Sequence, residues 1–129
     1  MIQLLIPSTK YSPMVELNSE GEMIIKGRSI LEDPTVFYNE IISCIKKCSA
    51  EKFTLEIRIE YMNTSSSKHV FNLLKAVKDC YNTANTCIKW FYEEDDEDML
   101  EIGKDFESLV RIPIDFYEYS DNAAWTTEI

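Results

Sequence analysis

Along this chain, stretches whose apolar residues recur at every second position give way to stretches where they recur at every third or fourth. Met14-Val15-Glu16-Leu17 and Met23-Ile24-Ile25-Lys26 flank Asn18-Ser19-Glu20-Gly21-Glu22, whose Asn and Gly suit a hairpin turn. Asp33-Pro34 predicts a helix start, with Asp as N-cap and Pro at the first helical position. Phe37, Ile41, Cys44/Ile45 and Cys48 follow as one apolar stripe. Phe53, Leu55, Ile57, Ile59 and Tyr61 alternate with Thr54, Glu56, Arg58, Glu60 and Met62, which predicts a strand with one buried face. Val70, Leu73/Leu74, Val77 and Tyr81 line a second helix that ends near Asn82-Thr83-Ala84-Asn85. Cys87 to Tyr92 reads as the next strand, and Asp95-Asp96-Glu97-Asp98 leads a third helix carrying Met99, Ile102/Gly103, Phe106 and Leu109/Val110. Ile112 to Tyr117 closes the sheet, and its Pro113 suits an edge strand because proline donates nothing to a central ladder. Ser120 to Ile129 is unassigned, a frayed end or one helical turn.

The predicted order is β-β-α-β-α-β-α-β, an α/β fold. A parallel strand covered on both faces reads as continuously apolar, and the strictly alternating strand at 53–62 does not. Helices are therefore expected mainly on one face. Right-handed crossovers give that result when each strand adds to the same side of the one before. The expected sheet is five-stranded and mixed, in order 1-2-3-4-5, with strand 1 antiparallel. Its other face would carry Thr54, Glu56, Arg58, Glu60 and Met62, open to solvent or a partner.

Composition narrows the function. A length of 129 residues fits one domain, 1–129. A hydrophobic content of 45%, with six Phe, seven Tyr and two Trp, supplies a core and argues against disorder. The net charge of −10 argues against binding nucleic acid or an anionic membrane, because phosphate contacts need clustered Lys and Arg. The N-terminal Met-Ile-Gln-Leu-Leu-Ile-Pro has no basic flank and is not expected to be a signal peptide. With no apolar run long enough to span a bilayer, a soluble, cytoplasmic protein is expected. Cys44, Cys48, Cys80 and Cys87 lack CxxC spacing and the lone His69 is distant from most of them, so neither a metal nor a cofactor is expected.

Candidate chemistry gathers in Tyr61-Met62-Asn63-Thr64-Ser65-Ser66-Ser67-Lys68, where the alternating strand meets the second helix. Open α/β sheets present reactive groups at such carboxyl-end junctions. One helix cap needs one Ser, Thr, Asn or Asp; this segment offers five such residues, and the surplus suggests a hydroxyl presented to a kinase. A phosphate here would meet the unpaired N–H groups and the positive end of the helix dipole. Lys68, four residues after Thr64, is placed to reach such a phosphate. His69 beside the serines forms no catalytic pair by itself, since no group is identified to orient it. The acidic run Glu93 to Asp98 lacks the alternation and the glycine of a calcium loop, and reads as dipole compensation at a helix start.

The chain resembles the SiaC family of bacterial regulatory phosphoproteins, with a STAS-like fold like that of anti-sigma-factor antagonists. The resemblance is carried by Gly27-Arg28-Ser29-Ile30-Leu31-Glu32, by Tyr61-Met62-Asn63-Thr64-Ser65-Ser66 and by Trp90-Phe91-Tyr92, in that order between about Ile6 and Tyr117. It implies that Thr64 is the regulatory phosphorylation site, with Ser65 the next candidate. It also implies a dedicated kinase, a metal-dependent Ser/Thr phosphatase and a diguanylate cyclase as partners. On this reading the protein is a non-enzymatic switch whose partners dock around Asn63, Thr64, Ser65, Ser66 and Lys68. An anti-sigma-factor antagonist of the same fold is the alternative. A small-molecule-binding or hydrolytic domain using the serine-rich loop is a third reading.

Overall fold

The computed structural model describes residues 1–120, so the segment 121–129, most of the tail left unassigned above, lies outside the described residues. The elements run β1 (Ile2–Ile6), β2 (Met14–Asn18), β3 (Glu22–Ser29), α1 (Thr35–Lys47), β4 (Phe53–Met62), α2 (Thr64–Cys80), a 3-10 turn (Thr83–Asn85), β5 (Thr86–Glu93), α3 (Glu97–Val110) and β6 (Ile114–Tyr119). One mixed sheet has the order β1-β2-β3-β4-β5-β6. The pairs β1–β2 and β2–β3 are antiparallel, and β3 to β6 are parallel.

The sheet therefore has six strands rather than the expected five. Ile2-Gln3-Leu4-Leu5-Ile6 does not alternate, because it is an edge strand with an irregular register between Ile2 and Leu4. Leu4 and Ile6 are half-buried, whereas Ile2 and Leu5 are exposed. The antiparallel strand expected first in the sheet is β2, one place in from that edge.

The β2–β3 hairpin forms as expected. The Asn18 carboxamide oxygen accepts from the amides of Glu20 and Glu22, both at 3.0 Å, and Gly21 supplies φ +82°. Helix α1 starts one residue later than predicted: Pro34 occupies the cap position, and the Asp33 carboxylate accepts from the Thr35 amide at 3.3 Å. The three helices join one face of the sheet in a single core. Val15 and Leu17 of β2, Met23 and Ile25 of β3, and Phe53, Leu55, Ile57 and Ile59 of β4 meet Ile41 and Ile45 of α1, Val70, Leu73, Leu74 and Val77 of α2, and Phe106 of α3. Trp90 of β5 anchors α3, its indole N–H donating to the Met99 carbonyl at 3.1 Å. Gly103 lets α3 come that close, since a Cβ there would lie 2.8 Å from both the Trp90 and Phe116 rings.

Two expectations about β4 are corrected. Gly27 pairs with Ile59 while Arg28 pairs with Tyr61, so Glu60 is an extra residue and forms a bulge. Beyond it the alternation inverts: Tyr61 is 53% exposed and Met62 is buried. Arg58 does lie on the face away from the helices, but it is only 2% exposed. Its guanidinium packs 3.9 Å from the Phe91 ring centroid, Phe91 stacks on Tyr117 at 5.0 Å, and Nε donates to Glu56 at 3.2 Å. The face without helices thus covers its own cation with aromatic rings.

Gly103→Ala is expected to lower stability by about 1–3 kcal/mol, because the overpacked rings outweigh the gain in helix propensity. On the other face, Glu60→Thr should change stability by no more than about 0.5 kcal/mol. Glu56→Thr should cost about 1–3 kcal/mol, since it strips a charged hydrogen-bond partner from buried Arg58. Urea unfolding midpoints check all three.

Candidate phosphoacceptor site at the start of helix α2

Helix α2 begins where β4 ends, and Asn63 is its N-cap. The Asn63 side-chain oxygen accepts from the Ser66 amide at 2.9 Å, and its backbone carbonyl accepts from Ser67 at 2.9 Å. Asn at this position is among the strongest caps. With those bonds made, the amides of Thr64 and Ser65 have no protein acceptor among the described residues. Thr64, the first helical residue, is exposed, as are Ser65 and Lys68, while Ser67 is half-buried. Thr64 and Lys68 are one helical turn apart and share a face. The sequence-predicted residues Thr64, Ser65 and Lys68 are therefore brought together on an accessible surface.

Ser66, also expected among the partner-binding residues, sits elsewhere. It is 0% exposed and accepts from the Ser29 hydroxyl at 2.8 Å. Ser29 in turn lies 2.6 Å from the Tyr38 hydroxyl. Because Ser29 has a single proton and gives it to Ser66, Tyr38 is the donor to Ser29. This chain of hydroxyls ties β3, α1 and α2 together. Burial pushes the Tyr38 phenol up to about 12, with the Ser29 hydrogen bond opposing. The His69 ring stacks on Tyr38, with centroids 5.8 Å apart, instead of addressing a serine. Among the described residues no Ser–His or Thr–His hydrogen bond forms.

The cap is also fastened to the end of β3. The Asn63 amide donates to the Ser29 carbonyl at 3.0 Å, and its side-chain Nδ2 donates to the Leu31 carbonyl at 2.9 Å. Ser29 and Leu31 belong to the Gly27–Glu32 motif, which is the one signal for them in the sequence; Tyr38, in α1, carries none.

The neighbouring helix starts differ in charge. In α3, Asp96 caps the Met99 amide at 3.0 Å, and Glu97 and Asp98 fill the first turn. Before α1, the hydrogen bond to Thr35 holds the Asp33 carboxyl below the usual carboxylate range. Helix α2 has an uncharged cap and no acidic residue in its first turn. Of the three helix starts along this end of the sheet, it is the one whose dipole is not already met by a carboxylate. The acidic run acts as the dipole compensation expected, and no cluster of potential metal ligands occurs among the described residues.

The profile of the SiaC family of regulatory phosphoproteins matches residues 6–119. The chain belongs to that family. An uncharacterized protein of Pseudomonas aeruginosa (strain UCBPP-PA14) is 23% identical over 118 residues, covering 88% of this chain and 94% of the relative. The crystal structure of the diguanylate cyclase SiaD in complex with its activator SiaC, from P. aeruginosa, contains a chain that superposes with a TM-score of 0.81 at 20% identity, over 91% of this chain and 100% of that one. SiaC of P. aeruginosa on its own gives a TM-score of 0.78 at 20% identity, over 90% and 98% of the two chains. At this identity the superpositions establish a shared fold with the SiaC structures, and the profile match establishes the family.

The buried phenol gives a pH test. A phenol whose pKa is raised on folding favours the folded state below its ordinary value of about 10, and that contribution is lost as pH rises toward about 12. Stability should therefore fall between those values, and Tyr38→Phe should flatten part of the decline. Thermal melts across an alkaline series check this; Tyr81 and Tyr92 are also shifted upward, burial being the first cause, and act in the same direction.

Proposed function

We propose that this chain is a non-enzymatic regulator that binds a diguanylate cyclase and is switched by phosphorylation of Thr64. One observation carries the reading: in a chain of the SiaC family, an exposed threonine opens the one helix of the three whose start no carboxylate meets. A phosphate on Thr64 adds about −1.5 to −2 charge where the helix dipole and Lys68 favour it. That charge reshapes a surface to which a partner docks. SiaC of P. aeruginosa is the activator of SiaD, and the present chain is given the corresponding role toward a cyclase of its own host. A dedicated kinase and a Ser/Thr phosphatase set the phosphorylation state. The chain acts as one regulatory domain in the cytoplasm, and no helix among the described residues is long and apolar enough to cross a membrane. A STAS-like reading of the β-α units, as in anti-sigma-factor antagonists, belongs to the same proposal and rests on the one-layer placement of the helices over a mixed sheet.

Mass spectrometry of protein purified from its own host should find a single phosphate on Thr64, with Ser65 the minor alternative and Ser66 unmodified because it is buried. Thr64→Ala should abolish the phosphate and Thr64→Ser should retain it. Thr64→Glu should weaken cyclase binding about tenfold or more, as expected for a charge placed in an interface. Phosphate found mainly on Ser67, with Thr64 unmodified, would overturn the assignment.

A further inference from the structure

A surface cavity of about 390 Å³ lies beside the acceptor turn, lined by Tyr11, Ile30, Leu31 and Glu32. Its position follows from hydrogen bonds already described. The Leu31 carbonyl that accepts from Asn63 belongs to its wall, and so does Ile30, whose amide donates to the Tyr11 carbonyl at 2.9 Å. Segment 29–31 is thus bonded on one side to the α2 cap and on the other to the loop joining β1 and β2.

That loop is held by its own polar contacts. Thr9 Oγ1 accepts from the amides of Tyr11 and Ser12 at 3.1 and 3.0 Å, and the Thr9 amide donates to the Ser12 carbonyl at 2.9 Å. The loop therefore ties down the Tyr11 backbone and leaves the residue 53% exposed. An exposed tyrosine beside an apolar cleft is the kind of residue that dominates binding energy in protein interfaces. Glu32 is the charged residue of the lining; ionised Asp33 follows it in the chain, and Lys10 lies 5.8 Å from the Tyr11 ring centroid.

We propose that this cavity is the docking pocket for a protein partner that inserts an apolar side chain flanked by a lysine or arginine, the cation facing Glu32. The proposal builds on the switch at Thr64 by naming the surface where that switch is read. Shape carries the signal: a phosphate that draws the first turn of α2 toward itself pulls on Asn63, and Asn63 holds Leu31. The acceptor turn and the pocket wall move as one hydrogen-bonded unit.

The test uses the full chain and the SiaD-type diguanylate cyclase of its host, with binding measured by calorimetry at two salt concentrations. Tyr11→Ala should weaken binding about tenfold or more. Glu32→Lys should weaken it and reduce its dependence on salt. Asn63→Ser keeps a neutral helix cap but cannot reach the Leu31 carbonyl as a donor; it should weaken binding while the chain stays folded by circular dichroism. Leu109→Ala, an exposed apolar position in the last turn of α3, should bind as the parent does. Parent-like binding by both Tyr11→Ala and Glu32→Lys overturns the pocket, whatever Thr64→Glu does. Loss of binding in those two variants with no effect of Thr64→Glu upholds the pocket and removes the switch. If the parent binds no cyclase, the proposed function falls, and the pocket is read by NMR with a blocked peptide carrying leucine between two lysines. Shift changes confined to Tyr11, Ile30 to Glu32 and Asn63, stronger than with glutamates in place of the lysines, support it; their absence overturns it.

Discussion

Burial on a single face of the sheet is the constraint on which the rest of this molecule depends. From β3 onward every strand is parallel to the last and adds on the same side of it. A right-handed crossover can then place its helix on one face only. All three helices share that face, and their N-termini line up along the carboxyl ends of β3, β4 and β5. Three dipoles of one sign side by side favour anions along that edge. Acidic residues at α1 and α3 meet two of them, and the third lies beneath Thr64.

Polar bonding inside the core ties this edge together. Tyr38, Ser29 and Ser66 form a hydroxyl chain out of contact with water, joining two helices to a strand. A buried hydroxyl without partners is costly, so such a chain persists only when every member is satisfied. Of four consecutive hydroxyl residues, the fold spends Ser66 on structure and leaves Thr64 and Ser65 outside. That division sorts the surplus of capping residues: Asn63 caps, Ser66 packs, and Thr64 and Ser65 stay exposed.

Much of the architecture was legible because amphipathic periodicity reports burial directly. The stripes on α1, α2 and α3, the Asn18–Gly21 hairpin and the parallel order from β3 onward all follow from apolar spacing. Strand β1 was not legible, because an edge strand covered on one side alternates poorly. Leu109, placed on the α3 stripe by spacing, is exposed because Val110 takes the inward position. The burial of Arg58 was hidden for a different reason. It depends on Phe91 and on Tyr117 beyond it, residues of other strands whose proximity is a matter of register. Within the site, the candidate acceptors could be read from composition, but the separation of Ser66 from Thr64 needed the partner residues Ser29 and Tyr38.

The bulge at Glu60 sets where the acceptor turn stands relative to the sheet. A strand advances about 3.3 Å per residue, so one inserted residue carries the start of α2 that much further past the sheet end without lengthening any loop. It also reverses which side each following residue faces, turning Met62 inward to close the core and Tyr61 outward. Height and facing of the acceptor are thus set together by a single unpaired position. Strand length ahead of the Asn63–Ser66 motif, and not the motif alone, thus fixes where the Thr64 hydroxyl stands.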